Sequence, residues 1–427
     1  MRNAALLFVV TLSVGTVCGQ SNHPAKLNEP KDVTVLMGNA IDSAAIYRAF
    51  VENAPKEFDI PGAPRFAIVG KNESFYLGIG GVAKVTASFD FPNPINNGAF
   101  FKPVDIPVAK PGDGGLFQVN GQQTNIFFNV VAMPNSKNRL GFYFDVDLLG
   151  SGYTPSVHNA YLTYRGLVAG YNTTLFFDGK AVAPTIDKAG PNSSNYMAVP
   201  LIDFIHRFDS GIELGVGAEI GEKSFTNGGK TYTVNQRIPD IPAYIQFNSK
   251  TDPRTNLRIA VIGRDLQYYN EVKDKMKNVF GWGVKASGTL GLGRRFIVYY
   301  MGAYGKGIGS YFRDFQKQGL DLTPVEENNG ELEATPMWGA YLGLQYNWSD
   351  RCFSTVTYSQ VRNYAKNDGA TDWPSNYRYG QYVAANIFYN ITSQFRWGLE
   401  WDWGRHVDCG GASRHDNRIQ TMLQFSF

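Results

Sequence analysis

The sequence predicts an all-β protein: a transmembrane antiparallel β-barrel of 16 strands, preceded by a short periplasmic N-terminal segment. Three observations carry that prediction. Apolar residues recur at every second position in sixteen separate stretches, the spacing that places one set on each face of a strand. The connections alternate between short turns and long loops, as the two rims of a barrel require. The chain has 46 glycines among 427 residues and is 14% aromatic but only 18% charged, a composition of many turns and strands that still meets much water.

Length alone would allow two or three globular domains, but barrels commonly exceed the usual domain size as one unit. The net charge is +3, with Lys and Arg scattered and no basic run. This excludes a nucleic-acid surface and a polybasic lipid patch.

Residues 1–19 read as a signal peptide: Arg2 gives the positive start, Ala4 to Val17 an apolar core, and Val17 and Gly19 the small residues before cleavage at Gln20. The apolar run is too short to cross a bilayer, which takes about 20 residues. Residues 20–64 form a periplasmic leader rich in proline and polar residues. One short helix is expected at 41–54, where Ile41, Ala44, Ala45, Tyr47, Phe50 and Val51 fall near helical spacing. The leader reads either as a plug or a contact with the cell wall or a neighbouring subunit, or as a segment ordered only by packing. Residues 65–427 form the barrel. Cys352 and Cys409 fall at opposite ends of it, so no disulfide between them is expected.

The expected strands are 76–91, 124–133, 140–149, 157–165, 167–177, 201–208, 212–220 and 241–248 in the first half. The second half continues with 256–266, 279–290, 296–306, 336–348, 353–361, 379–390, 395–403 and 418–427. Even-numbered strands are followed by turns such as PNSKN, RG, DSG and IT. Odd-numbered ones are followed by long loops at 92–123, 178–200, 221–240, 267–278, 307–335, 362–378 and 404–417; only 151–156 is brief. Turns belong to the periplasmic rim and loops to the outside.

The faces separate cleanly. Phe395, Trp397, Leu399, Trp401 and Trp403 oppose Arg396, Glu400 and Asp402, and Phe142 and Phe144 oppose Tyr143, Asp145 and Asp147. Lipid meets the first sets; the second sets would be too costly in a dry core, so a watery lumen is expected. Trp338, Tyr346, Trp348, Tyr358, Tyr389 and Trp403 suit interfacial girdles. The last strand alternates up to Phe427, which resembles the C-terminal aromatic assembly signal that the barrel-assembly machinery reads in bacterial outer-membrane barrels.

The stretch from Val157 to Ile220 contains VHNAYLTYRGLVAGYNTTLFFD, APTIDKAGPNSSNY and IDFIHRFDSGIELGVGAEI. It resembles the DcaP-like trimeric porins. The resemblance implies a homotrimeric outer-membrane channel, surrounded by lipid, that takes up small organic anions such as dicarboxylates. Two features depart from the pattern: the leader has no long heptad repeat, and the loop motif reads Asp187, Lys188, Ala189, Gly190, Pro191.

The third outer connection, 178–200, is the one expected to fold inward and narrow the pore. It carries Lys180, Asp187 and Lys188, and the facing walls add Arg207, Arg258, Arg264, Lys285 and Arg396. Fixed charge in a constriction sets ion preference, and Arg clamps a carboxylate through two parallel bonds. The competing reading is that these arginines pair with Asp203, Glu213, Glu219 or Glu400 and merely stiffen the wall.

The five histidines, His23, His158, His206, His406 and His415, do not gather with a Ser and an acid, so no enzyme is expected. His406, Cys409 and His415 share a polar loop, but no metal or other cofactor is expected there. The alternative functions are a general diffusion porin, or a surface-binding protein whose long loops 92–123 and 307–335 do the work.

Overall fold

The computed structural model describes residues 34–37, 43–58, 61–108, 110–112, 114–325, 329–367 and 373–427. The expected signal peptide lies outside them, as does most of the leader before residue 43.

The barrel strands are β1 Phe75–Phe91, β2 Asn125–Ala132, β3 Leu140–Asp147, β4 Ser156–Tyr164, β5 Leu167–Thr173, β6 Ala198–Arg207, β7 Ile212–Glu219 and β8 Ile241–Asn248. They continue as β9 Asn256–Asn270, β10 Lys275–Leu292, β11 Phe296–Lys306, β12 Pro336–Asn347, β13 Cys352–Asn363, β14 Tyr377–Asn390, β15 Phe395–Asp408 and β16 Ser413–Ser426. Each pairs antiparallel with the next, and β16 pairs with β1 from Asn417↔Phe91 to Ser426↔Val82, closing the sheet. Phe427 and Gly81 then exchange two backbone hydrogen bonds of 3.0 Å. Closure matters because lipid offers no partner to an open strand edge. All sixteen expected strands are present. Among the described residues no helix is long and apolar enough to cross a membrane; the strands do the crossing.

Some boundaries move. The fifth strand ends at Thr173 rather than 177, because Leu175 and Phe176 turn into the lumen and are buried there. The expected loop 267–278 is mostly strand: β9 and β10 stay paired as far as Asn270↔Lys275. Tyr268 and Tyr269 support this extension, the first buried with Leu322 and Leu332, the second stacked on Tyr232 at 5.0 Å. Loop 404–417 shrinks likewise, since Val407 still pairs with Ser413. Cys352 and Cys409 are both free thiols.

The faces fall as expected. Leu342, Val216 and Leu423 are 60%, 49% and 49% exposed on the outside, while Glu400 and Asp402 are 1% and 0% exposed inside. The lumen, however, is far from an open watery tube. Three outer loops fold into it. Ile95, Phe101 and Ile106 pack on Tyr382 and Ala384, and Tyr311, Phe312 and Phe315 join Phe176, Met301 and Tyr341 in the largest buried cluster. Burial of this much aromatic and aliphatic surface, about 25 cal/mol per Å², holds the loops down.

The helix α1, Ser43–Asn53, also departs from the expected periplasmic arm. Its Ile46, Ala49 and Phe50 pack with Val69, Tyr76 and Val131, on the lumen face of the barrel. Asn53 donates to Asn129 (2.8 Å) and accepts from Thr163 (2.8 Å), and its carbonyl accepts from Tyr161 (2.6 Å). After it, a short strand, Phe66–Val69, pairs with β1 at Tyr76–Ile79, below the point where β16 stops. The edge left by the stagger of the closing seam is thereby covered.

Candidate functional site

The loop 174–197 crosses the lumen, and hydrogen bonds fix it to both walls. On the near wall, the amide of Leu175 donates to Glu219 (2.7 Å), Lys285 donates to the Phe176 carbonyl, and Arg258 donates to the Phe177 carbonyl at 2.8 Å. Ser287 donates to Asp178 at 2.8 Å. On the far wall, the amides of Ile186 and Asp187 both donate to Glu400 at 2.8 Å, and Asn386 bridges the Pro184 carbonyl and Glu400, again at 2.8 Å. The chain then returns along β13, where Ser193 and Ser359 bond at 2.8 Å.

Around this crosspiece the lumen narrows, and cavities lie to either side of the loop. A narrow eyelet of about 70 Å³ lies against the loop, lined by Glu57, Phe58, Lys188, Tyr196 and Arg313. Arg313 lies 4.4 Å over the Tyr196 ring and donates to the Lys188 carbonyl at 3.1 Å. Beside them the Tyr196 hydroxyl meets His158, which bonds Asp145 at 3.2 Å. A larger chamber of about 590 Å³ opens on the periplasmic side of the loop, lined by Lys56, Arg139, Arg165, Lys180, Arg207, Arg258, Asp178 and Glu213. A third cavity, about 420 Å³, is lined by outer-loop residues including Thr226, Gln318, Lys366 and Tyr377.

The expected site residues separate into two groups. Lys180, Arg207 and Arg258 meet in the chamber. Lys180 is exposed there and makes no hydrogen bond or ion pair among the described residues. Enclosure by the cavity walls, with Arg258 and Arg207 close by, holds its ammonium below the ordinary lysine range. Arg207 pairs with Glu213 at 2.6 Å while staying mostly exposed. Arg258 sits 4.0 Å over the Tyr244 ring and 3.9 Å from both Asp178 and Glu213. Lys188 lines the eyelet.

The others are withdrawn into the walls. Asp187 borders the eyelet beside Lys188 but is buried and braces the loop, accepting from the amides of Phe101 (2.9 Å) and Ala189 (3.0 Å) and from Tyr382 (3.2 Å). Burial pushes its carboxyl up to about 6. Arg264 is wholly buried beneath loop 307–335, in ion pairs with Asp240 (3.0 Å) and Asp321 (2.9 Å). Arg396 lies 4.8 Å over the Phe58 ring and donates to Asn390 at 2.8 Å. Lys285 is buried under Phe176. Of the acids proposed as their partners, Glu213 pairs with arginine, whereas Glu219 and Glu400 accept backbone amides.

Sequence reasoning did not select Lys56, Glu57 or Arg313. Each lies in a leader or loop without a two-residue alternation around it, and only the folded path brings it to the pore. Among the described residues no group of three or more His, Cys, Asp or Glu could hold a metal; His406 is bonded to the Pro103 carbonyl and to Asp408.

With this geometry in view, the chain can be set beside known proteins. Its fold is similar to the outer membrane channel DcaP of Acinetobacter baumannii, with 19% identity, 83% of this chain and 98% of that one covered, and a TM-score of 0.71. It is also similar to an anion-selective porin from Comamonas acidovorans (8% identity, 83% and 100% covered, TM-score 0.54). A third similar structure is Salmonella typhi OmpF in complex with daunomycin (10% identity, 83% and 99% covered, TM-score 0.51). No curated protein matches the sequence. Residues 133–422 match the family model described as Porin subfamily, and with a closed sixteen-stranded barrel around an inturned loop the chain belongs to that family, as a channel of the outer membrane through which solutes diffuse.

Proposed function

We propose that this channel takes up small hydrophilic solutes with a preference for small organic anions, dicarboxylates in particular, and that it works as a homotrimer without catalysing a reaction. One observation carries the preference. The chamber beneath the loop is lined by seven basic side chains, Lys56, Lys137, Arg139, Arg165, Lys180, Arg207 and Arg258, against the four acids Glu52, Glu57, Asp178 and Glu213. An enclosed excess of positive charge between low-dielectric walls concentrates anions, and two unit charges about 4 Å apart interact by about 4 kcal/mol near a protein surface. At about 590 Å³ the chamber is of the size that holds small molecules, roughly 300–1,000 Å³. The resemblance to trimeric porins supports the homotrimer, and the place of Phe427 at the seam supports its role as the signal for the barrel-assembly machinery.

A general diffusion porin is the second reading, favoured by the mixed eyelet, where Lys188 and Arg313 stand beside Glu57. The two are separated by reconstituting the channel. The anion reading expects an anion-signed reversal potential in a salt gradient, and succinate entering proteoliposomes faster than a neutral sugar of similar size. Neutralising Lys180, Lys188 and Arg207 together should move the potential toward cations and lower the succinate-to-sugar ratio. A cation-selective wild type, or an unchanged ratio in the triple variant, would leave general diffusion as the function.

A further inference from the structure

The segment just before the barrel runs across the lumen. It leaves one wall at Asn53, held by Asn129, Tyr161 and Thr163, and at Ala54, buried with Phe127, Tyr143 and Tyr161. It reaches the opposite wall at Phe58, whose ring meets Phe353 at 6.2 Å and Phe388 at 5.5 Å, both edge-on. Arg396 covers that ring from 4.8 Å, and farther on Arg65 donates to Ser393 at 2.9 Å. Four residues of extended chain reach about 14 Å at most, so the segment between the two walls has little slack.

Two charged side chains sit on this crossing. Lys56 is exposed in the lower chamber, its amine on the Val51 carbonyl. Glu57 lines both the chamber and the eyelet, and its Oε1 is buried with no hydrogen-bond partner among the described residues. The two carry opposite signs on adjacent residues.

We propose that residues 54–58 form a strap that is a working part of the pore: Lys56 is a specificity-determining cation of the lower chamber for carboxylate anions, and Glu57 is an acidic post at the eyelet. The channel's ion preference is then set jointly by the barrel wall and by a segment outside the barrel. Enclosure of the amine by the chamber walls, then the nearby Lys180 and Arg207, lower the Lys56 ammonium to about 8, in keeping with a cation held within an already positive chamber. A neighbouring unpartnered carboxylate would hold back a second anion and keep transit from ending in capture. The carboxylate class rests on the function proposed above; the strap does not.

The test is the reversal potential of Lys56→Gln and Glu57→Gln in the full chain, with heat-modifiable migration as the check that the barrel is folded. K56Q should lower the anion-to-cation permeability ratio by about two-fold or more and E57Q should raise it, as expected for charge inside a narrow pore; Lys56→Arg should keep the wild-type value. A second measurement covers the case of poor assembly. Cysteine at position 56, with Cys352 and Cys409 replaced by serine, should let an anionic thiol reagent lower anion current and a cationic one restore it. Opposite shifts from K56Q and E57Q in a wild type that is cation-selective would uphold the strap while refuting the anion reading. Wild-type potentials in both variants, or a residue 56 thiol whose modification leaves the current unchanged, would overturn the strap.

Discussion

The two ends of the inturned loop use charge in opposite ways. At the far end, Asp187 and Glu400 are buried, and each accepts backbone amides that fix the loop's path. At the near end, Lys180 stands exposed in the chamber beside Arg207. Arg264 resembles the far end: fully buried, it is matched by Asp240 and Asp321. A charge withdrawn from water must be bonded or paired, and one so compensated shapes the protein more than it acts on passing ions. An incompletely compensated charge facing water does the reverse.

Breaking a braced charge should give the largest effect. Arg264→Met leaves buried Asp321 without its cation and Asp240 with only Lys223 at 3.5 Å, a loss of about 3–5 kcal/mol, and the folded barrel should lose much of its heat resistance on a gel. Its reversal potential should stay at the wild-type value if the variant assembles. Normal heat resistance in R264M would break the comparison.

Glu400→Ala comes next. It strips the amides of Ile186 and Asp187 of their acceptor and takes one of two acceptors from the side chains of Asn386 and Gln420, at about 1–3 kcal/mol for each buried group left unsatisfied. Single-channel recordings should then show a larger and noisier conductance as the loop's middle loosens. Conductance traces identical to wild type would mean that Glu400 does not hold the loop.

The smallest effect is a titration at the exposed end. Because the Lys56 ammonium is held at about 8 rather than 10.5, its charge is present at pH 7 and mostly lost by pH 9. Lys180, also lowered, shifts in the same direction. Anion preference should therefore fall between about pH 7 and pH 9, and Lys56→Arg should flatten that fall. A preference that rises with pH would have the sign wrong.

The fold was legible because lipid outside and charged groups inside leave a period-two mark on the chain, seen in Phe142 to Asp147 and Phe395 to Trp403. The mark fades where strands rise above the membrane, which is why the ends of β9 and β10 near Tyr268 and Tyr269 read as loop. In the site, Lys180, Lys188, Arg207 and Arg258 were legible as bases on the inturned loop and its facing strands. Arg264 shares a strand face with Arg258, yet its partners come from 24 and 57 residues away, a pairing that alternation cannot show. Lys56 and Glu57 were hidden for a related reason. A short amphipathic helix on a leader looks the same whether it lies in the periplasm or against the lumen wall.

The comparison is tested most directly by measuring two lysines of the same region in one experiment. Lys180 is exposed in the chamber, whereas Lys285 is 3% exposed and donates to the Phe176 carbonyl. The reversal potentials of Lys180→Glu and Lys285→Met, read in the same salt gradient, should differ: K180E moves clearly toward cations, while K285M keeps the wild-type potential and loses heat resistance. Equal shifts, or a larger shift in K285M, would contradict the division between charges that shape the pore and charges that select its solutes.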